Sequence, residues 1–155
     1  MSLSSHYPPS AEIEINAPLQ TVWDLLLDSA SYPQWNSFIP EAVGDLKALH
    51  TPIHMRVQLG ESMTRAVMQS VIVETPANGG ALWVHEHASW LAKTALVRSR
   101  RHHKLTAINP QQTTYHTWET FSGLFKPFVP FAKIDAGFKT QAADLKTACE
   151  QSSPK

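Results

Sequence analysis

The fold is decided by the stretch Phe131-Ala-Lys-Ile-Asp-Ala-Gly-Phe-Lys-Thr-Gln-Ala-Ala-Asp-Leu-Lys-Thr-Ala-Cys149 near the end of the chain. Its apolar side chains recur at spacings of three and four, at Phe131, Ile134, Phe138, Ala142, Leu145 and Cys149. This spacing predicts an amphipathic helix of about five turns. Pro127 and Pro130 lie near its start, where proline is tolerated or kinks a helix. The remaining chain must supply an apolar surface that covers this face.

Most of the chain before this helix shows strand patterns. Alternating or β-branched runs predict strands over residues 11–15, 53–59, 65–74, 81–89, 97–108 and 113–121. After the first strand, Asn16 as a capping candidate and Pro18 in the first turn predict a helix of about ten residues. A short second helix is expected within residues 31–39. We therefore predict an α+β domain, in which a curved antiparallel sheet wraps around the long C-terminal helix and leaves an apolar, ligand-sized cavity.

Composition limits the function classes. The chain has 155 residues, of which 43% are apolar and 17% charged, and it has 13 basic and 13 acidic residues. This predicts one globular domain at residues 11–150, with a flexible tail at 1–10 and a C-terminal tail at 151–155. Zero net charge gives no general attraction to nucleic acid or anionic membrane. With no apolar run of about 20 residues and no signal-peptide pattern, we expect a cytoplasmic protein without integral membrane association.

Three familiar nucleotide-binding and catalytic motifs are absent from the sequence. It contains no Gly-rich phosphate loop, no dinucleotide fingerprint and no nucleophile elbow, which disfavours familiar nucleotide and hydrolase chemistry. The single cysteine, Cys149, excludes an internal disulfide and a thiolate metal cluster.

Several short motifs resemble a known family. They are Ile13-Glu-Ile-Asn-Ala-Pro18, Val22-Trp23-Asp24-Leu25, Tyr32-Pro-Gln-Trp-Asn36, Leu82-Trp83, His103-x-Leu105 and Thr114-x-His116-x-Trp118-Glu119-x-Phe121-x-Gly123. Together they resemble the START-like, Bet v 1-like helix-grip superfamily, which includes polyketide cyclases/dehydrases and lipid-transport proteins. The resemblance covers roughly residues 11–150 and implies the helix-grip fold. It also implies an internal cavity for a hydrophobic small molecule (a lipid, polyketide, aromatic or isoprenoid) without a cofactor. An alternative is a cofactor-independent polyketide cyclase or dehydratase.

Strand alternation indicates which side chains face the cavity. Leu105 belongs in the core, so His103 and Arg101 should face the cavity or its mouth. The opposite face of this strand, with Arg98, Arg100, His102 and Lys104, should be solvated. The resemblance places Trp83 inside, which turns His85 inward and His87 toward the rim. Phe121 should meet the terminal helix, which makes Tyr115 and Glu119 further polar cavity candidates.

These residues allow three interpretations. In the first, His103 and Glu119 hydrogen-bond each other and only satisfy the core. In the second, they contact a ligand. In the third, His85, His103, Tyr115 and Glu119 are catalytic and move protons on a cyclic ketone or a polyketide-like substrate, with Arg101 near the cavity entrance. The predicted ligand-binding residues are Tyr32, Trp35, Phe38, Met55, Trp83, His87, Arg101, Phe121, Phe131 and Phe138, with Tyr32 and Trp35 at the cavity entrance.

Two further features of the sequence concern a metal site and a partner surface. The pair His85-x-His87, with Glu119 or His103 as third ligand, has the spacing of some metal sites, but we predict no metal. Trp90, Leu91 and the Phe-rich run 125–131 predict an apolar rim, which favours a lipid or a protein partner. A partner-binding module is therefore the third functional hypothesis.

Overall fold

Seven antiparallel strands form one curled sheet around a long helix. The computed structural model describes residues 8–88 and 97–152. The strands are β1 Ser10–Ile15, β2 Glu41–Val43, β3 Ile53–Leu59, β4 Ser62–Ala77, β5 Gly80–His87, β6 Arg98–Asn109 and β7 Gln112–Ser122. The helices are α1 Leu19–Leu26, α2 Tyr32–Trp35 and α3 Phe131–Ser152, with single 3-10 turns at Ser29–Ser31 and Lys126–Phe128. The sheet order is β1-β7-β6-β5-β4-β3-β2.

The predicted α+β architecture is confirmed, with two differences in the strands of the sheet. The strand β2 was missed, because three residues are too few to show an alternating pattern. The strand β4 is also longer than residues 65–74, because its polar and exposed ends still pair with β3 and β5. Pairing supplies backbone hydrogen bonds that no side-chain pattern reveals. In the described residues, no helix is long and apolar enough to cross a membrane.

The start of α1 differs from the prediction. Pro18 occupies the position before the helix, and no side chain caps it. Asn16 serves another purpose: its side-chain oxygen accepts from Gln112 Nε2 at 2.8 Å, and its backbone N–H donates to Glu150 Oε1 at 2.9 Å. Asn16 therefore connects the end of β1 to β7 and α3.

The apolar face of α3 forms the centre of the core, as its spacing predicted. Ile134, Phe138, Ala142, Leu145 and Cys149 are all buried. Each such large side chain removed from water contributes roughly 1.5–3 kcal/mol. Phe131, at the first turn, is only partly buried and meets Phe121 edge-on, with ring centroids 5.2 Å apart.

An irregularity in β4 helps the sheet to curl. The β4–β5 register shifts between Ser70 and Ile72, and such a bulge bends a strand and increases its twist. At this point the buried Ser70 accepts a hydrogen bond from Trp83 Nε1 at 2.8 Å and donates to the Leu46 carbonyl at 2.6 Å. These hydrogen bonds fix the indole of Trp83 on the concave face of the sheet.

Gly137 sets the distance between α3 and the loop before β2. A Cβ at this position would lie 2.1 Å from Cε2 of Phe38. Phe38 is buried and packs edge-on against Phe138, with centroids 5.9 Å apart. The glycine therefore creates the space in which the Phe38 ring packs on the helix.

We expect Gly137→Ala to destabilise the protein. Overpacking costs roughly 1–3 kcal/mol, which should exceed the gain of about 1 kcal/mol that alanine brings to a helix. Chemical denaturation measures the change, with the exposed Thr140→Ala on the same helix as a control of small effect. The penalty should vanish in a Phe38→Ala background. An equal penalty in both backgrounds would contradict the proposed contact.

Candidate functional site

A pocket of about 160 Å³ lies between the concave face of the sheet and α3. Most of its wall is apolar and comes from β3, β4, β7, α3 and the segment after α2. The apolar lining is Phe38, Ile39, Met55, Val57, Leu59, Ala66, Met68, Phe121, Ile134 and Phe138. The polar lining is Thr64, Arg65, His85, His87, Arg101 and Glu119. Polar groups are therefore few and lie mainly on the β5–β6–β7 side.

Strand register explains this polar side. His85 of β5 is paired with Arg101 of β6, and Arg101 with Glu119 of β7, so the three form one cross-strand row that lines the pocket. The next inward-facing row is Trp83, His103 and Thr117. Side chains within a row are close neighbours. The pocket therefore reaches the first row, and the second row lies behind it.

This register corrects the pairing predicted for His103. Its cross-strand neighbour is Thr117, whereas Glu119 faces Arg101, so His103 and Glu119 do not hydrogen-bond each other. His103 Nε2 instead lies 3.0 Å from His85 Nε2, and His103 Nδ1 lies 2.6 Å from the Tyr115 hydroxyl. The first interpretation therefore named the wrong hydrogen-bond partner for His103.

The hydrogen-bonded residues His85, His103 and Tyr115 are buried and uncharged. His103 stacks on Trp83 at 4.5 Å between ring centroids. Burial lowers the pKa of His85 and His103 well below the usual range, and the nearby positive charge of Arg101 lowers both further. Burial raises the pKa of Tyr115. All three groups are therefore neutral near pH 7.

Proton positions in the hydrogen-bonded series Tyr115–His103–His85 can be inferred from the neighbouring charges. The Arg101 cation lies near Tyr115 and attracts its phenolic oxygen, which favours the arrangement in which the hydroxyl hydrogen points to His103 Nδ1. His103 then carries its proton on Nε2 and donates it to His85 Nε2. Neutral His85 consequently carries its proton on Nδ1. This buried N–H has no hydrogen-bond partner among the described residues.

Arg101 lies at the centre of the site and not near the entrance, where we expected it. The residue is 2% exposed. Its Nε donates to Thr117 Oγ1 at 3.1 Å and its Nη2 to Gln141 Oε1 at 2.6 Å. Its guanidinium carbon is 3.9 Å from the ring centroid of Phe138, a close cation–π contact. These contacts hold the guanidinium in one position.

Glu119 is the titrating group of the pocket. It is 7% exposed, and burial raises its pKa to about 7, although Arg101 and Ser99 act in the opposite direction. The carboxyl does not form an ion pair with Arg101 in the part of the chain that the structure describes. Both protonation states of Glu119 are therefore present near neutral pH.

The predicted site residues divide into two groups. Those that line the pocket are Phe38, Met55, His85, His87, Arg101, Glu119, Phe121 and Phe138. Those outside its lining are Tyr32, Trp35, Trp83, His103, Tyr115 and Phe131. The polar atoms of the second group have partners in the core: the Tyr32 hydroxyl donates to the Leu26 carbonyl at 2.7 Å, and Trp35 Nε1 to Ser31 Oγ at 2.9 Å.

Sequence reasoning missed part of the wall. Val57 and Leu59 have the correct alternation and were recognisable as inward-facing, and Ile134 lies on the predicted helix face. Gln141 had no such signal, because a lone polar residue on a helix does not reveal a buried arginine beside it. Its Oε1 accepts one of the side-chain hydrogen bonds that hold Arg101.

The metal hypothesis for this region has no geometric support. His85 and His103 direct nitrogens at each other, and no group of three potential ligands is present within residues 8–88 and 97–152. Of the predicted apolar rim, Trp90 and Leu91 lie outside the described residues. Phe125 and Phe128 are exposed, Phe128 to 81%. A partner or lipid surface at this rim stays a prediction.

Comparisons with known proteins support the fold but not a specific activity. No protein-family model and no curated protein matches the chain. Norcoclaurine synthase from Thalictrum flavum, solved with dopamine and hydroxybenzaldehyde, is 12% identical, with a TM-score of 0.67 and coverage of 94% of this chain and 87% of the synthase. The ZhuI aromatase/cyclase from Streptomyces sp. R1128 is 10% identical, with a TM-score of 0.66 and 92% of both chains covered.

A START superfamily protein from Mycobacterium smegmatis is similar as well. It is 17% identical, with a TM-score of 0.63, and the alignment covers 93% of this chain and 97% of the other. Identities this low show the fold and leave the activity open. With the sheet order and the long terminal helix, these similarities show that the chain has the START-like, Bet v 1-like helix-grip fold.

Proposed function

We propose that the protein binds a small, mainly apolar molecule in the pocket between the sheet and α3. The observation that carries this proposal is the composition of the pocket wall, which is apolar except for the polar groups described above. Concave apolar sites with a few fixed polar groups are typical of small-molecule binding. The solved proteins of the same fold include a synthase crystallised with two aromatic ligands, which supports the same class.

The pocket size narrows the ligand class. A volume of about 160 Å³ is below the roughly 300–1,000 Å³ of sites for drug-sized ligands. It suits a compound with one or two rings better than a long acyl or isoprenoid chain. Burying about 200 Å² of apolar surface contributes about 5 kcal/mol before the costs of association. Fragments of this size should therefore bind in the millimolar to micromolar range.

A large side chain introduced into the pocket should weaken this binding. Ala66 lines the pocket on β4, and Val67, the next residue, faces the other side of the sheet. We expect Ala66→Phe to weaken the binding of indole, a neutral probe, by about tenfold or more, and Val67→Phe to leave it nearly unchanged. Ligand-observed NMR titration measures both. Equal affinities for all three proteins would contradict a ligand site at this pocket.

A second candidate function is acid–base catalysis without a cofactor, and it is favoured by Glu119. A carboxyl with a pKa near 7 that lines an apolar pocket suits a general base at neutral pH. In an enolisation, its carboxylate would take a proton from the carbon beside a carbonyl, the C–H electron pair would form the C=C bond, and the π pair of the C=O bond would move onto the carbonyl oxygen. Arg101 and His85 Nδ1–H are positioned to stabilise that oxygen. His103 and Tyr115 would only position His85.

The titration of Glu119 should appear in the stability of the protein. A carboxyl whose pKa rises from 4.5 to about 7 on folding is destabilising once it is ionised. Stability should therefore fall between about pH 5 and about pH 8, by up to about 3 kcal/mol relative to Glu119→Gln. Urea denaturation of both proteins across this range measures the difference. A constant difference would show that Glu119 does not titrate there.

Catalysis has a separate test. Deuterium exchange at the carbons beside the carbonyl of 2-indanone, followed by NMR, should be accelerated about 100-fold or more. The rate should rise through about pH 7 as Glu119 ionises, and Glu119→Gln should lose it. Glu86→Gln serves as the control, because Glu86 is only partly buried and does not line the pocket. No acceleration by the wild-type protein would eliminate the catalytic candidate and leave the binding function intact.

A further inference from the structure

We propose that the natural ligand carries a carboxylate, which pairs with Arg101 in the polar wall of the pocket. This inference rests on the proposed binding function and specifies its ligand class. It starts from an electrostatic imbalance in the site. All 13 acidic side chains lie within the described residues, and none of them forms an ion pair with Arg101. Its Nε and Nη2 instead donate to neutral oxygens of Thr117 and Gln141.

A buried cation without a paired anion is costly. Burial lowers the pKa of Arg101, but an arginine keeps its charge near neutral pH. The aromatic face of Phe138 compensates only part of the lost hydration, since a cation–π contact contributes about 2 kcal/mol when desolvated. Because Arg101 also lines the pocket, a ligand there can supply the missing negative charge.

A second unused donor lies next to Arg101. His85 is its cross-strand neighbour and also lines the pocket, and His85 Nδ1 is buried without a hydrogen-bond partner in residues 8–88 and 97–152. The proton assignment above makes this nitrogen a donor. A guanidinium cation and an N–H on paired strands are the kinds of donor that the two oxygens of a carboxylate accept from. The apolar wall then receives the body of the ligand.

Glu119 makes this recognition dependent on pH. Around the pocket, the other charged or titratable groups are Arg65 of β4, His85 and His87 of β5, and Arg101 of β6, whereas α3 presents Ile134 and Phe138. Ionised Glu119 would compete with the ligand for Arg101 and repel its carboxylate. Protonated Glu119 does neither. Carboxylate affinity should therefore fall as pH rises through about 7, the pKa of Glu119.

The test compares two probes of nearly the same shape, phenylacetate and phenylacetamide. At about pH 6, the wild-type protein should bind phenylacetate about tenfold or more tightly than the amide by calorimetric titration. Arg101→Met, which keeps the length of the side chain, should lose this preference. Arg100→Met is the matched control, because Arg100 lies on the outer face of β6 and is exposed. Glu119→Gln should keep the preference and remove its pH dependence.

The possible outcomes distinguish failure of the carboxylate inference from failure of the proposed binding function. Equal affinity of the wild-type protein for both probes would overturn the carboxylate inference and keep the binding function. Binding of neither probe, nor of indole, would overturn both. If Arg101→Met does not fold by circular dichroism, the wild-type preference and its pH dependence against Glu119→Gln decide the question. A preference that rises with pH would also contradict the inference.

Discussion

Burial of the apolar face of α3 against the concave side of the sheet is the interaction on which the remaining structure depends. The helix provides Phe138, Leu145 and their neighbours at one face, and only a curled sheet can surround such a face on several sides. The bulge after Ser70 contributes to that curl, and Gly137 sets how closely the helix approaches the loop that carries Phe38. The pocket is the space that remains between these surfaces at the β3–β4 side.

The pairing of β5, β6 and β7 then determines the chemistry of that space. Register places His85, Arg101 and Glu119 in one row, so that a neutral donor, a fixed cation and a titrating carboxyl face the same apolar pocket. Each would be unfavourable alone at this depth. In the proposed binding function, a ligand carboxylate would compensate Arg101 and also affect the protonation of Glu119.

The common fold accounts for the architecture, whereas the polar row depends on which side chains this sequence places at the paired positions of β5, β6 and β7. The helix-grip proteins that it matches, at identities of 10–17%, include a synthase, an aromatase/cyclase and a START protein, so the shared shape does not by itself decide the activity. In this protein the deeper groups form a closed, neutral hydrogen-bonded chain from Tyr115 through His103 to His85. That chain of hydrogen bonds fixes the orientation of His85.

The sequence by itself determined the order of elements, the buried face of α3 and the inward direction of Arg101, His103, Glu119 and their neighbours, because helical and strand periodicity are local properties. It did not determine depth or partners. His103 was expected to pair with Glu119, and Arg101 to lie near the entrance. Which residues oppose one another across strands depends on register, and register depends on the turns and bulges of the whole sheet. Only the tertiary structure therefore separated the row that reaches the pocket from the row behind it.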